Sequence, residues 1–182
     1  MTKAALFIDN SNFYHSLKDS RRLPFPPSDY EELFTLLSRQ FGLELKHIFL
    51  YDAVKDSSKE KAQYAQQQKF HSGIRALSGR WPITIKTRKL KYRSFGKELI
   101  PEEKGVDVLL VIDAITIALR KDVEMIIVLS GDADFVPLIE FLKGQRIGTV
   151  NLHLYSGSST ELRESCDSHI LITFENSLLM LR

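Results

Sequence analysis

Four acidic residues have the type and placement to act together on a metal ion: Asp9, Asp107, Asp132 and Asp134. Two carboxylates about 4 Å apart repel each other by roughly 4 kcal/mol at an effective dielectric of about 20, so a group of them requires a cation or protonation. Oxygen ligands without His or Cys nearby favour Mg²⁺ or Mn²⁺ over Zn²⁺. These residues therefore predict a divalent-cation site, provided that the fold brings them together.

The pattern of apolar and polar residues predicts alternating strands and helices. Strands are predicted at 4–8, 44–51, 83–92, 123–129, 147–154 and 169–173, and helices at 10–17, 28–40, 57–77, 104–120, 134–143 and 159–166. This order is typical of a three-layer α/β/α fold with a mostly parallel sheet and right-handed crossovers. The carboxyl ends of parallel strands share one edge, where ligands bind. Asp9 and Asp132 would meet at this edge if their strands are neighbours.

Each of these aspartates also has a structural explanation. Asp134 could cap the helix that follows it, and Asp9 or Asp132 could be a turn residue. Asp107 lies at the start of the helix predicted over 104–120, which is apolar almost all round and is expected to be buried. Lys104, three residues earlier, could pair with Asp107. The sequence leaves these alternatives open.

Three further polar residues lie near these aspartates in the sequence. Asp113 lies about 120° around the predicted helix from Asp107, so we interpret it as a structural acid or an outer group. Asn12 could orient a water or a phosphate from the first turn of its helix, whereas Asn10 could brace the loop.

The composition limits the class of protein. The chain has 182 residues, of which 43% are hydrophobic and 26% charged, which predicts a single soluble domain over residues 1–182. No apolar stretch approaches the roughly 18 residues of a membrane span. The single cysteine, Cys166, favours a reducing cytoplasm and is expected to be a packing residue.

The net charge of +2 says little, but one segment is strongly basic. Between positions 80 and 97 there are no acidic residues and seven basic ones: Arg80, Lys86, Arg88, Lys89, Lys91, Arg93 and Lys97. Three aromatic residues are interleaved with them: Trp81, Tyr92 and Phe95. Such a segment could neutralise phosphates and stack bases. It could equally be an exposed edge strand with charges that prevent aggregation.

Three segments in register resemble the NYN domain family. They are Ile8–Asn12, Lys104–Val108 and Ser130–Pro137, and the tail Ser159–Ile170 is similar to the last helix and strand of that family. The resemblance covers nearly the whole chain and is specifically to the LabA-like branch, within the PIN-like nucleases. It implies a PIN-like, Rossmannoid fold.

The resemblance also implies a metal-dependent ribonuclease that hydrolyses RNA phosphodiester bonds with Mg²⁺ or Mn²⁺. Asp9, Asp107, Asp132 and Asp134 would be the catalytic and metal-binding residues, with Asn12, Ser130 and Asp167 in supporting roles. Lys86, Arg88, Lys89, Lys91 and Arg93 would bind the nucleic acid, which is expected to be single-stranded or looped RNA.

Three alternatives are kept beside this expectation. The first is a non-catalytic module on the same fold that binds RNA or a protein, and the sequence leaves a homodimer open. The second is a Toprim-like site, which normally has Glu at the position of Asp9. The third is a Rossmann-type nucleotide binder, but no Gly-x-Gly-x-x-Gly or Walker loop follows any predicted strand.

Overall fold

A seven-stranded sheet forms the middle layer of the computed structural model, which describes residues 1–96, 98–175 and 178–182. The strands are β1 (Thr2–Asp9), β2 (Leu43–Val54), β3 (Ile83–Lys89), β4 (Lys91–Phe95), β5 (Glu98–Glu102), β6 (Met125–Leu129), β7 (Gly148–His153), β8 (Ser168–Glu175) and β9 (Leu178–Leu181). The helices are α1 (Asn10–Asp19), α2 (Pro27–Gln40), α3 (Lys61–Ala76), α4 (Val106–Arg120), α5 (Val136–Gly144) and α6 (Thr160–Ser165).

The strands of the sheet lie in the order β3-β2-β1-β6-β7-β8-β9. All neighbours from β3 to β8 are parallel, and only β9 is antiparallel to its neighbour. The predicted three-layer, mostly parallel α/β fold is therefore confirmed.

Strand β1 lies near the middle of the sheet because its side chains are apolar on both faces. Residues 4–8 are fully buried. Leu6 and Ile8 belong to one core, which is shared with α1, α2 and α3. Ala5 and Phe7 belong to the other core, which is shared with α4, α5 and α6. A strand buried on both sides needs such a continuous apolar run.

The expectation that α4 is buried all round is wrong. Val106, Leu110 and Ala114 face the core, but the opposite side of the helix is open. Val108 and Ile112 are more than half exposed. The helix is apolar on both sides although only one side contacts the sheet, so composition alone gave no indication of which side is covered. The prediction that Cys166 is a packing residue agrees with its buried position in the same core.

The predicted strand at 83–92 is divided. β3 ends at Lys89, and the Leu90 backbone N–H then donates to the carbonyl of Val54 at 2.9 Å. β4 and β5 form a separate antiparallel hairpin, in which Tyr92 pairs with Pro101. Proline fits there because a two-stranded hairpin leaves an outer edge without ladder hydrogen bonds. Lys97, the last residue of the predicted basic segment, lies outside the described residues.

Within the described ranges, no helix is both long enough and apolar enough to cross a bilayer.

Candidate functional site

The register of the central strands brings Asp9 next to Ser130. Strands β1 and β6 are parallel neighbours, and Ile8 pairs with Leu129. The next residue on each strand is therefore at the same carboxyl-terminal edge. There the Ser130 hydroxyl donates to Oδ2 of Asp9 at 2.9 Å. The condition on which Asp9 and Asp132 share this edge, that their strands are neighbours, is therefore met.

Asn12 connects the start of α1 to the loop after β6. Its backbone N–H donates to Oδ1 of Asp9 at 3.1 Å, so Asp9 caps the helix. Its side-chain Oδ1 accepts from the Gly131 N–H at 2.8 Å. The Asp132 N–H in turn donates to the Ser130 hydroxyl at 3.2 Å. Asn12 and Ser130 thus fix the loop that carries Asp132.

The Asp9 carboxyl is held in an environment that opposes its charge. Only 4% of the residue is exposed, and burial raises the pKa of Asp9 to about 7. The hydrogen bonds from Asn12 and Ser130 lower this pKa, whereas the negative charges of Asp107 and Glu103 raise it further. An acid in such surroundings is stabilised by a nearby cation.

The other acids of the set repel each other as well. Burial raises the pKa of Asp107, and the charges of Asp132 and Asp134 add to the increase. In the part of the chain that the structure describes, none of these acids forms an ion pair with Lys, Arg or His. Lys104, considered above as a partner of Asp107, instead contacts Glu102 at 3.3 Å. The four aspartates therefore contribute to one negative field.

The four carboxylates do not form a closed metal shell. Among residues 1–96, 98–175 and 178–182, no group of three or more His, Cys, Asp or Glu side chains is arranged to hold an ion. The predicted set of carboxylates is therefore not preformed as a ligand shell among the described residues. One reason is that Oδ1 of Asp132 accepts from the Asp134 N–H at 2.9 Å and so caps the short turn that follows. Asp132 thus has the capping role that was considered for Asp134.

The donor set nevertheless fits Mg²⁺ or Mn²⁺. All the acids offer hard oxygen atoms, and Mg²⁺ usually keeps several of its waters while it binds one or two carboxylates directly. Burial, and to a smaller extent the charges of neighbouring acids, raise the pKa of Asp9 and of Asp107. Asp9 and its neighbours at the sheet edge are therefore suited to a partly hydrated divalent cation.

The sequence prediction did not include Glu103. Its Oε2 accepts from the Ser11 hydroxyl at 2.7 Å. Burial raises the pKa of Glu103, and the charge of Asp107 adds to this. The only sequence signal was its position directly before the Lys104–Val108 segment.

Two other predicted positions have structural roles. Oδ2 of Asp167 accepts from the Thr149 N–H at 2.8 Å and from its hydroxyl at 2.9 Å. Thr149 lies near the amino end of β7, so Asp167 lies at the sheet edge opposite Asp9, and its supporting role in the site is wrong. Asp113 accepts from the Tyr51 hydroxyl at 2.8 Å and contacts Lys86 at 3.3 Å, which agrees with a structural acid.

The five residues predicted to bind nucleic acid differ in their surroundings. Lys86 pairs with Asp113, and Arg93 contacts Glu102 at 2.6 Å. Arg93 is exposed as well, but the other three are exposed and form no ion pair with a described residue: Arg88, Lys89 and Lys91. The predicted basic surface is therefore smaller than the sequence suggested.

Of the three aromatic residues in the basic segment, two make contacts within the protein and one is exposed. Trp81 packs on Phe34, with ring centroids 5.6 Å apart. The Tyr92 hydroxyl donates to Glu60 at 2.5 Å, and the Lys59 ammonium lies 4.1 Å from its ring centroid. These contacts make Trp81 and Tyr92 structural residues, contrary to the expectation that they stack bases. Phe95 is 77% exposed and has a face available.

A buried hydrogen bond supports the residue next to Asp9. The Tyr30 hydroxyl donates to Oδ1 of Asn10 at 2.6 Å, and both residues are buried. This agrees with the prediction that Asn10 braces the loop. We expect Tyr30→Phe to lower the free energy of unfolding by about 1–3 kcal/mol, because the Asn10 oxygen would lose its partner in a buried position. Urea denaturation measures this.

The matched control is Tyr155→Phe, since Tyr155 is 91% exposed. This variant is expected to stay within about 0.5 kcal/mol of the original chain. Equal midpoints of urea denaturation for the Tyr30 and Tyr155 variants would contradict the role of Tyr30 in bracing the loop.

Comparisons with known proteins were made on the sequence and on the fold. A family model described as NYN domain matches residues 3–173. A solved structure of a protein of unknown function from Vibrio parahaemolyticus is similar, with a TM-score of 0.67 and 22% sequence identity. The match covers 98% of this chain and 96% of that chain. No curated protein sequence matches.

Proposed function

Because the chain belongs to the NYN domain family, we propose that it is a ribonuclease that hydrolyses RNA phosphodiester bonds with Mg²⁺ or Mn²⁺. The family lies within the PIN-like nuclease superfamily, which makes a nuclease the leading candidate. The match is to the family as a whole, and assignment to its LabA-like branch stays a prediction.

The observation that carries the proposal is the state of Asp9. This carboxyl is buried at the carboxyl edge of a parallel sheet, and its pKa is raised to about 7. Asp107 lies near enough that its charge contributes to that increase. Isolated buried acids are rare in proteins unless a partner compensates them. A divalent cation would compensate Asp9 and Asp107 together.

In this proposal the aspartates bind the cation, and two polar residues orient Asp9. Asp9, Asp107, Asp132 and Asp134 would hold the ion through one or two direct contacts and otherwise through its waters. Ser130 and Asn12 would keep Asp9 oriented through the hydrogen bonds described above. When bound, such an ion supplies positive charge at the phosphate and lowers the pKa of a water.

The surface near β3 favours a single-stranded or looped RNA as the substrate. Arg88, Lys89 and Lys91 are exposed and can contact phosphates. Phe95 exposes a ring on which a base can stack. A cytoplasmic location also stays a prediction, based on the single cysteine.

Cleavage of a labelled single-stranded RNA tests the proposal. We expect cleavage with Mn²⁺ or Mg²⁺ and none with EDTA. Asp132→Asn should lower the rate roughly a hundredfold or more, because it removes a charge from the site while an amide oxygen can still cap the turn at Asp134. The control is Asp122→Asn, whose carboxylate contacts His47 at 3.2 Å and precedes β6 at the opposite edge. Equal cleavage by the Asp132 and Asp122 variants would refute the proposal.

The second candidate is a module that binds RNA without cutting it. The exposed side chains of Arg88, Lys89, Lys91 and Phe95 favour this candidate, because they could bind RNA without a metal ion. RNA binding that persists in EDTA, without cleavage under any metal, would support it. The same assay therefore decides between the two functions.

A further inference from the structure

We propose that Glu103 is a positioning residue of the site, which holds the start of α4 against the first turn of α1 through its hydrogen bond from Ser11. The inference rests on the proposed function, because the acids that Glu103 positions are those proposed to bind the cation. Glu103 itself is not assigned to the reacting atoms.

The Ser11–Glu103 hydrogen bond connects two distant segments of the chain. The donor and acceptor are 2.7 Å apart, although 92 positions separate them in the sequence. Ser11 is two residues after Asp9, and Glu103 is four residues before Asp107. The bond therefore ties the backbone that carries Asp9 to the backbone that carries Asp107.

The start of α4 depends on such a contact because it has no cap of its own. Its N-cap residue is Gly105, at φ 79°, and no side chain accepts from the first-turn N–H groups. Glycine tolerates this left-handed conformation, but it supplies no side-chain oxygen. Asp107 lies in this uncapped first turn. Val106 and Leu110 pack this helix against the core, and the Ser11–Glu103 bond adds a contact that links the segment before it to α1.

On the opposite side of the site, a second hydrogen bond from the first turn of α1 holds another acid-bearing segment. Asn12 accepts from the Gly131 N–H at 2.8 Å and so holds the loop of Asp132. Adjacent residues in the first turn of α1 thus reach both segments that bear the other acids. Ser11 serves the segment of Asp107, as Asn12 serves the loop of Asp132.

Two substitutions of Glu103 distinguish the effect of its acceptor oxygen from the effect of its negative charge. Glutamine keeps an oxygen that can accept from Ser11, whereas alanine has none. The bond does not need the charge, because the oxygen of a neutral amide also accepts from a hydroxyl. Burial raises the pKa of Glu103, and the hydrogen bond from Ser11 lowers it. In hydrogen exchange, Glu103→Gln should therefore match the original chain, whereas Glu103→Ala should not.

Amide hydrogen exchange of the metal-free protein tests the positioning role without any activity. Ser11→Ala and Glu103→Ala are each expected to speed exchange at the starts of both α1 and α4, while Glu103→Gln leaves it unchanged. The control is Ser58→Ala, which removes a hydroxyl–carboxylate bond of the same 2.7 Å length in the loop before α3. Unchanged exchange in Ser11→Ala and Glu103→Ala would overturn the proposal.

Mn²⁺ affinity and steady-state kinetics extend the test. Ser11→Ala, Glu103→Ala and the double variant should each weaken Mn²⁺ binding about tenfold and lower kcat with little change in KM for RNA. Additive losses in the double variant, or an equal loss in Glu103→Gln, would overturn the proposal. If the original chain neither binds Mn²⁺ nor cuts RNA, the proposed function fails, and the exchange experiment still decides the role of Glu103.

Discussion

Asp9→Asn is expected to remove RNA cleavage and, in the absence of metal, to stabilise the protein at pH 8. The loss of activity should reach roughly a hundredfold or more, because the most buried acid of the site no longer carries a charge. The fold should persist. The asparagine oxygen can accept from the Asn12 N–H, and its amide can donate to the Ser130 hydroxyl.

The gain in stability follows from the raised pKa. The pKa of Asp9 is about 7 in the folded protein, against an ordinary value of 3.8. Between these values the folded chain binds a proton that the unfolded chain has released. The free energy of unfolding therefore falls as the pH rises from about 4 and levels off above about 7. The difference in pKa corresponds to at most on the order of 4 kcal/mol, which relaxation of the site would reduce.

Urea denaturation in EDTA between pH 4 and pH 8 measures this effect. The original chain should lose stability across that interval, and Asp9→Asn should lose less of it. Asp122→Asn, the control at the opposite edge, should follow the original chain. Parallel pH curves for the original chain and Asp9→Asn would contradict the assignment of the raised pKa to Asp9.

Gly131→Ala is expected to be the most damaging small substitution near the site. A Cβ atom at Gly131 would lie 1.7 Å from the carbonyl oxygen of Gly157 and 3.0 Å from Cα of Ser158. Both contacts are with backbone, so a loop must move. The shift would also strain the bonds from the Gly131 N–H to Asn12 and from the Ser159 N–H to the Gly131 carbonyl. We expect a loss of about 3 kcal/mol or more in the free energy of unfolding.

Thermal and urea denaturation measure the loss, and RNA cleavage per folded molecule measures the damage to the site. The control is Gly144→Ala at the end of α5, where a Cβ atom meets nothing within 4 Å. That variant should be neutral or more stable by up to about 1 kcal/mol, because alanine favours helix. Equal stability of the Gly131 and Gly144 variants would contradict the prediction, because the loop that contains Gly157 would then move at little cost in free energy.

The sequence predicted the central part of the fold well because burial there is two-sided. The strands predicted at 4–8 and 123–129 are the central strands β1 and β6. Their pairing, which places Asp9 next to Ser130, was only a condition of the prediction. Neighbouring strands in a parallel sheet bring distant residues together without any local signal.

The edges of the fold were harder to predict. A basic run with partial alternation looks the same whether it forms one strand or two, so the break at Leu90 was missed. Gly96, at φ 61°, marks the turn between β4 and β5 and was the available signal for the hairpin. The short apolar run of β9 at the end of the chain gave too little periodicity to be recognised.

The details of the site depended on side-chain contacts that no pattern encodes. Asp132 and Asp9 were placed at the correct edge, but whether a carboxylate points to a neighbouring acid or caps a turn depends on local geometry. Glu103 was missed because its partner, Ser11, lies far away in the sequence. Asp167 was misplaced because a helix end can lie at either edge of a sheet.

The place of β1 in the sheet has a consequence for protein synthesis. β1 is synthesised before the other strands of the sheet, and β2 can pair with one of its sides early. The other side pairs with β6, so Ala4 cannot pair with Met125 until β6 has been synthesised. Until then a nascent chain presents an apolar strand with an open edge, which is the kind of surface that joins other chains. Such distant pairing also slows folding, so the most buried strand is exposed for longest while the chain is being made.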